Sequence, residues 1–218
     1  CQGFGNGAQG ALLPLHADGY RVVAVSDSQG GIFKPEGFDV PSLIRIKEET
    51  RRLKAVYCEG ALCEEIEAET ISNEQLLALD VDVLIPAALE NAITADNADQ
   101  VKADVIVEIA NGPVSSDADA ILQQRDNPPL VVPDILANAG GVTVSYFEWT
   151  QNKQGYYWQL DEVRQRLQHR MASEFNAVHK IMSDKRIDMR TAAYVHALNR
   201  IGEALSATGT RQYFASTQ

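Results

Sequence analysis

The chain has 218 residues, enough to bury a substantial core, and its 45% apolar and 22% charged composition belongs to globular rather than disordered chains. A net charge of −11, from 30 acidic and 19 basic residues, argues against nucleic acid or an anionic membrane as partner. No apolar run nears the roughly 20 residues that span a bilayer, no signal-peptide pattern opens the chain, and a cytoplasmic location is expected.

At the front of the chain, Gly3, Gly5 and Ala8 match G-x-G-x-x-G/A, just ahead of a helical pattern over residues 8–18. In such a motif the first glycine permits a tight turn and the second lets main chain approach a pyrophosphate. The small third residue brings the helix close to the sheet, with its N-terminal dipole toward the phosphates. Only Cys1 and Gln2 precede the glycines, although a phosphate loop leaves the end of a full strand, so the first strand reads as truncated.

A β-branched run follows at residues 21–26 (RVVAVS), ending at Asp27, 24 positions after Gly3. A carboxylate there can accept bonds from the adenosine ribose hydroxyls, and it repels a 2′-phosphate. That favours NAD, with NADP left open because Ser28, Gly30 and Gly31 can offer neutral donors. Further apolar runs lie at 81–85, 104–109 and 130–132, and helical patterns at 41–53, 73–79, 94–101 and 116–124. Ser72 with Gln75 forms a capping box ahead of the helix at 73–79. Strand–helix alternation at this pitch predicts an α/β fold, a Rossmann-like doubly wound and mostly parallel sheet.

From Pro133 onward the pattern is helical. Leu160, Val163, Leu167, Met171, Phe175, Val178 and Met182 step by three and four along one helix. A second runs over 189–205, with Ala193, Val195, Leu198, Ile201 and Leu205 as its expected buried set. Residues 1–150 are thus expected to form the NAD(P)-binding domain, and 151–218 a helical segment packed on it. Cys1, Cys58 and Cys63 are expected to be free thiols; Cys58 and Cys63 sit among Glu59, Glu64 and Glu65 and make a poor zinc motif. His16, His169, His179 and His196 are scattered, and no metal site is expected.

Several strings carry a resemblance: GFGN at 3–6, SDSQGGIF at 26–33, IPAALEN at 85–91, ANGP at 110–113, PDILANAGGVTVSYFEW at 133–149 and DMRTAAY at 188–194. In this order they resemble the C-terminal, nucleotide-binding domain of the glutamate/leucine/phenylalanine/valine dehydrogenase family, across essentially the whole chain. The resemblance implies that Gly3, Phe4, Gly5 and Asn6 contact the pyrophosphate and that Asp27 and Ser28 meet the adenosine ribose. It places Ala87 and Ala88 beside the adenosine, and Asn111 and Asn138 at the nicotinamide. Val142 and Ser145 fall at the substrate, Ser145 donating to a γ-carboxylate. Glutamate is the implied substrate, since VSYFEW is the glutamate-like continuation after NAGGV. The implied reaction is reversible oxidative deamination of L-glutamate to 2-oxoglutarate and ammonia, in a homo-hexamer. The family's catalytic lysine and aspartate belong to another domain, so no residue of this chain is expected to be catalytic. Alternatives are a non-catalytic NAD(P)-sensing or partner-binding module, or a dehydrogenase for another amino acid. Gly7, where the family usually has an apolar residue, Ile109, where it often has glycine, and Val114–Ser116 depart from its pattern.

Overall fold

The computed structural model describes residues 1–50, 53, 56–59, 62–65 and 68–207, with backbone alone for 50, 56–59 and 62–65. The chain forms two compact units, Cys1–Leu130 and the part from Val131 onward. The first opens with helix α1, Asn6–Ala17, then strands β1, Ala24–Asp27, and β2, Gly30–Phe33. Helix α2, Val40–Thr50, leads to a hairpin of β3, Val56–Glu59, and β4, Leu62–Glu65, and then to β5, Glu69–Ile71. Helix α3, Asn73–Leu77, strands β6, Val83–Leu84, and β7, Val105–Val107, and helix α4, Ser116–Gln123, follow. Strand β8, Leu130–Val132, spans the boundary between units.

The opening segment decides the topology. The N–H of Ser26 donates to the Cys1 carbonyl at 3.2 Å. On the other side Gln2 donates to Ile85 at 2.9 Å, and Ala87 donates back to Gln2 at 2.8 Å, a parallel bridge of Gln2 to Pro86. Cys1–Gln2 therefore lies between β1 and β6, with β6 parallel to β7 and the N–H of Leu130 on the Asp104 carbonyl at 2.8 Å. A first strand at the centre, with its successors laid out to either side, is the doubly wound arrangement. β2 pairs antiparallel with β1 and with β5, extending one edge. The glycine-rich sequence of β2 hides this extension from pattern reading.

Phe4, Leu12, Val25, Ile32, Leu43 and Ile85 form one core cluster of this unit, all at 6% exposure or less. The capping box forms in full: Ser72 Oγ accepts from the Gln75 N–H at 3.1 Å while Gln75 Oε1 accepts from the Ser72 N–H at 2.7 Å. The helix expected at 94–101 does not form; a single 3₁₀ turn, Ala98–Gln100, stands there. Polar side chains take its main-chain groups instead. Asn97 accepts from the Thr94 N–H at 2.8 Å, and Arg125 donates to the carbonyls of Ala98 and Val101. The expected helix at 41–53 ends at Thr50, with residues 51 and 52 outside those described. Cys1 is a free thiol. Cys58 and Cys63 are opposed in the β3–β4 register, and their thiols lie outside the described residues.

The second unit is helical: α5, Asp134–Ala137, α6, Gly140–Gln154, α7, Leu160–Lys185, and α8, Met189–Ala207. α6 ends on Gly155 at φ 67°, a left-handed stop suited to glycine. Asp188 opens α8 by accepting from the Thr191 N–H at 2.7 Å and the Thr191 hydroxyl at 2.6 Å. The buried set of α8 differs from expectation. Met189, Ala192 and Ala193 are buried, whereas Leu198, Ile201 and Leu205 are more than half exposed. Met189 and two alanines at the start of α8 make the contact, Ala193 as expected; Leu198, Ile201 and Leu205 farther along face solvent. Among the described residues no helix is long and apolar enough to cross a membrane, and no cluster of three or more metal-ligating side chains occurs.

Candidate functional site

The glycine turn of the first unit is built from two different glycines. Gly3 has φ +94°, and a Cβ on it would lie 2.9 Å from both the carbonyl carbon and oxygen of Ala87 and 3.0 Å from Ala88 Cβ. Only glycine fits there, by backbone conformation and by space alike. The turn is pinned by Ser26, a fully buried hydroxyl that accepts from the Gly3 N–H at 3.3 Å. Ser26 is the one hydroxyl of β1, between the apolar Ala24 and Val25 and the terminal Asp27, and that placement is its only mark in the sequence.

Gly5 is the opposite case. Its φ is −84°, and a Cβ on it would meet nothing within 4 Å. Gly5 is the N-cap of α1, and among the described residues no side chain caps the helix start. An open glycine at an uncapped helix start gives main-chain donors and a positive dipole end facing unfilled space, the geometry a diphosphate requires. Asn6 and Gly7 are exposed beside it. Phe4 contributes main chain only: its ring is 2% exposed within the core, and its carbonyl accepts from Gln9 Nε2 at 3.1 Å. Ala87 and Ala88 stand against Gly3 and are half-buried and exposed.

Asp27 closes β1 with its side chain 15% exposed. Oδ1 accepts from the Gln29 N–H at 2.9 Å; Oδ2 accepts from the Leu53 N–H at 3.3 Å and from Lys47 Nζ, which lies in the last turn of α2. Burial pushes the carboxyl up, but Lys47 and the two N–H groups outweigh it and hold Asp27 below the ordinary carboxylate range. Ser28, next in sequence, is exposed. No local motif marks Lys47, because its partner lies 20 positions away, across a strand, a loop and a helix. Asn111 is exposed in the turn after β7, beside Gly112 at φ +53°, whose carbonyl accepts from the Asn91 N–H at 2.8 Å.

In the second unit Asn138 is the half-buried C-cap of α5. Val142, 70% exposed, and Ser145, exposed, share one face of α6 at a spacing of three. A separate cleft of about 250 Å³ lies between α5, α6, α7 and α8; Thr143 lines it, and neither Val142 nor Ser145 does. Its polar edge is Glu174, which accepts from His196 Nε2 at 2.7 Å, Arg200 at 2.7 Å and Arg170 at 3.2 Å.

The family model for Glutamate/Leucine/Phenylalanine/Valine dehydrogenase matches residues 1–209. The chain belongs to this dehydrogenase family. It is 54% identical over 213 residues to the NADP-specific glutamate dehydrogenase of Synechocystis sp. (strain ATCC 27184 / PCC 6803 / Kazusa), covering 98% of this chain and 49% of that one. It is 42% identical over 203 residues to a cryptic catabolic NAD-specific glutamate dehydrogenase, GudB, of Bacillus subtilis (strain 168), covering 93% and 45%. Its fold matches the crystal structure of the hetero-hexameric glutamate dehydrogenase from Thermus thermophilus (Leu bound form) with a TM-score of 0.81 at 35% identity, over 93% of this chain and 45% of that one. The chain spans about half the length of the relatives it matches.

Two departures from the dehydrogenase family's pattern are neighbours in space. A Cβ on Gly7 would lie 3.5 Å from Ile109 Cγ2, at ordinary contact distance. A third, Ser115, has work of its own: its hydroxyl caps α4 by accepting from the Ala118 N–H at 3.2 Å.

Proposed function

We propose that this chain is the nucleotide-binding half of an NAD(P)-dependent glutamate dehydrogenase, an enzyme that interconverts L-glutamate and water with 2-oxoglutarate and ammonia. The observation that carries the reading is the open, uncapped Gly5 start of α1, held in place by a Gly3 turn that admits no side chain and flanked by Asp27 at the adjacent strand end. The diphosphate would rest on the N–H groups around Gly5 and Asn6, which orient it without a counter-ion. Asp27 and Ser28 would meet the adenosine ribose, and the small Ala87 and Ala88 leave room for that sugar. The amides of Asn111 and Asn138 would hold the carboxamide end and so select which ring face is presented. Val142 and Ser145 would meet the substrate, the Ser145 hydroxyl donating to the γ-carboxylate.

A nicotinamide held at Asn111 and Asn138 would supply the hydride chemistry at the substrate's Cα. No residue of this chain is assigned the proton transfers; they fall to the half of the enzyme that the relatives carry in addition. That a relative at 54% identity is NADP-specific and another at 42% is NAD-specific supports a site compatible with either cofactor. A hexameric assembly and a cytoplasmic location complete the proposal, the former supported by the hexameric Thermus structure.

The test is turnover by a polypeptide that joins this chain to a family substrate domain. L-glutamate should be oxidised, with L-leucine and L-phenylalanine at least about a hundredfold slower, because a site that hydrogen-bonds a polar group rejects an apolar analogue strongly. Comparable rates with leucine would remove Ser145 from its role and glutamate from the proposal.

A further inference from the structure

We propose that Gln9 is the positioning residue that aims the Gly5 amide at the diphosphate; the assignment rests on the dinucleotide reading. The side chain of Gln9, half-buried near the start of α1, reaches back and donates from Nε2 to the Phe4 carbonyl at 3.1 Å. A trans peptide is planar, with its C=O and N–H pointing to opposite sides. A donor on the Phe4 carbonyl therefore turns the Gly5 N–H away from Gln9, and among the described residues nothing takes that N–H.

Without such a hold this peptide plane is the loosest part of the turn. Gly5 has no Cβ to restrict its φ, so the plane between Phe4 and Gly5 can flip and present a carbonyl where the phosphate oxygens would sit. Its neighbours are already fixed. The Phe4 ring is 2% exposed in the core, and beyond it the Gly3 N–H is bound to Ser26 Oγ at 3.3 Å. The helix adds little restraint, because Gly7 and Gly10 both fall within its first five residues and glycine is among the weakest helix formers. The chemistry of the amide matters as well. A glutamate at this position could not donate to a carbonyl, and its charge would repel the diphosphate.

The experiment is an NMR titration of the wild-type chain and of Gln9→Met with NADH, ADP-ribose and adenosine. Methionine keeps the length and helix preference of glutamine and removes the donor. Freed of one ordinary hydrogen bond, the competent orientation loses population, and apparent affinity falls in proportion. NADH and ADP-ribose should weaken about fivefold, with adenosine within about twofold. A loss below about twofold for the diphosphate ligands, or one that adenosine shares in full, overturns the assignment and leaves the dinucleotide site standing. Failure of NADH and ADP-ribose to bind the wild type overturns the site and the assignment together. Should Gln9→Met not fold, the wild type decides alone. Scalar coupling across the hydrogen bond, from Gln9 Nε2 to the Phe4 carbonyl carbon, should persist in the NADH complex. Its disappearance on binding overturns the assignment, because the aiming contact would then be absent from the bound state.

Discussion

Gly3→Ala and Gly5→Ala separate the two glycines of the turn, one by stability and the other by ligand. At Gly3, φ +94° costs an L residue about 1–2 kcal/mol. The new Cβ also lands 2.9 Å from the Ala87 carbonyl carbon and oxygen, main-chain atoms held by the Ala87 N–H bond to Gln2 at 2.8 Å. They cannot swing away as a side chain would, and overpacking of this kind costs about 1–3 kcal/mol. The sum, about 2–5 kcal/mol, is a large share of ordinary domain stability. With a urea m value of about 2 kcal/mol/M it lowers the midpoint by about 1–2.5 M. At Gly5 the backbone is ordinary and the Cβ meets nothing, so folding should change by about 1 kcal/mol or less. That Cβ nevertheless occupies the open approach to the α1 N-terminus, and NADH affinity should fall at least about tenfold. Far-UV circular dichroism is the assay for unfolding, because both tryptophans, Trp149 and Trp158, lie in the second unit and would not report the first. A Gly3→Ala chain unfolding at the wild-type midpoint, or a Gly5→Ala chain binding NADH normally, would refute the division of labour.

Three more outcomes follow from other parts of the molecule. In a substrate-competent polypeptide, Ser145→Ala should reduce kcat/KM for glutamate by about tenfold or more, as loss of one hydrogen bond to a charged group does, and leave NADH affinity unchanged; a drop in NADH affinity instead would place Ser145 at the cofactor. Burial raises the Glu174 carboxyl, but His196 and Arg200 outweigh it and set it below its ordinary 4.5. Its stabilisation is therefore complete above that value and lost as pH falls through the lower folded one, so acid titration followed by tryptophan fluorescence should show a shallower acid limb in Glu174→Gln than in wild type; superimposable limbs would show the cluster to be idle. Ser72→Ala removes one half of the α3 capping box and should cost about 1 kcal/mol in urea unfolding, with no change meaning that solvent replaces the cap.

What the sequence could and could not announce divides along the range of the interactions involved. The box at Ser72 and Gln75, the strand at Leu130–Val132 and the long helix at Leu160–Lys185 are set by patterns within a turn or two, and each stands where it is expected. The helix at 94–101 fails because Arg125, more than 20 positions away, takes two of its carbonyls. The exposure of Leu198, Ile201 and Leu205 was likewise illegible, since periodicity marks an apolar face without saying what covers it. At the candidate site, the glycine turn ahead of α1 stands where the spacing puts it, and the structure adds the reason Gly3 tolerates nothing larger. The Lys47–Asp27 pair and the Ser26 hydroxyl under Gly3 join distant segments through tertiary contact alone, and no local motif carries them.

The central claim is that a dinucleotide diphosphate docks on the main-chain amides at the start of α1. An amide-resolved NMR titration of the chain with NADH addresses it directly. The Gly5, Asn6 and Gly7 resonances should shift downfield together and saturate with the same affinity as the Asp27 and Ser28 signals at the ribose end. Saturable binding that leaves Gly5 to Gly7 unmoved, or no saturation at any resonance, would contradict the account.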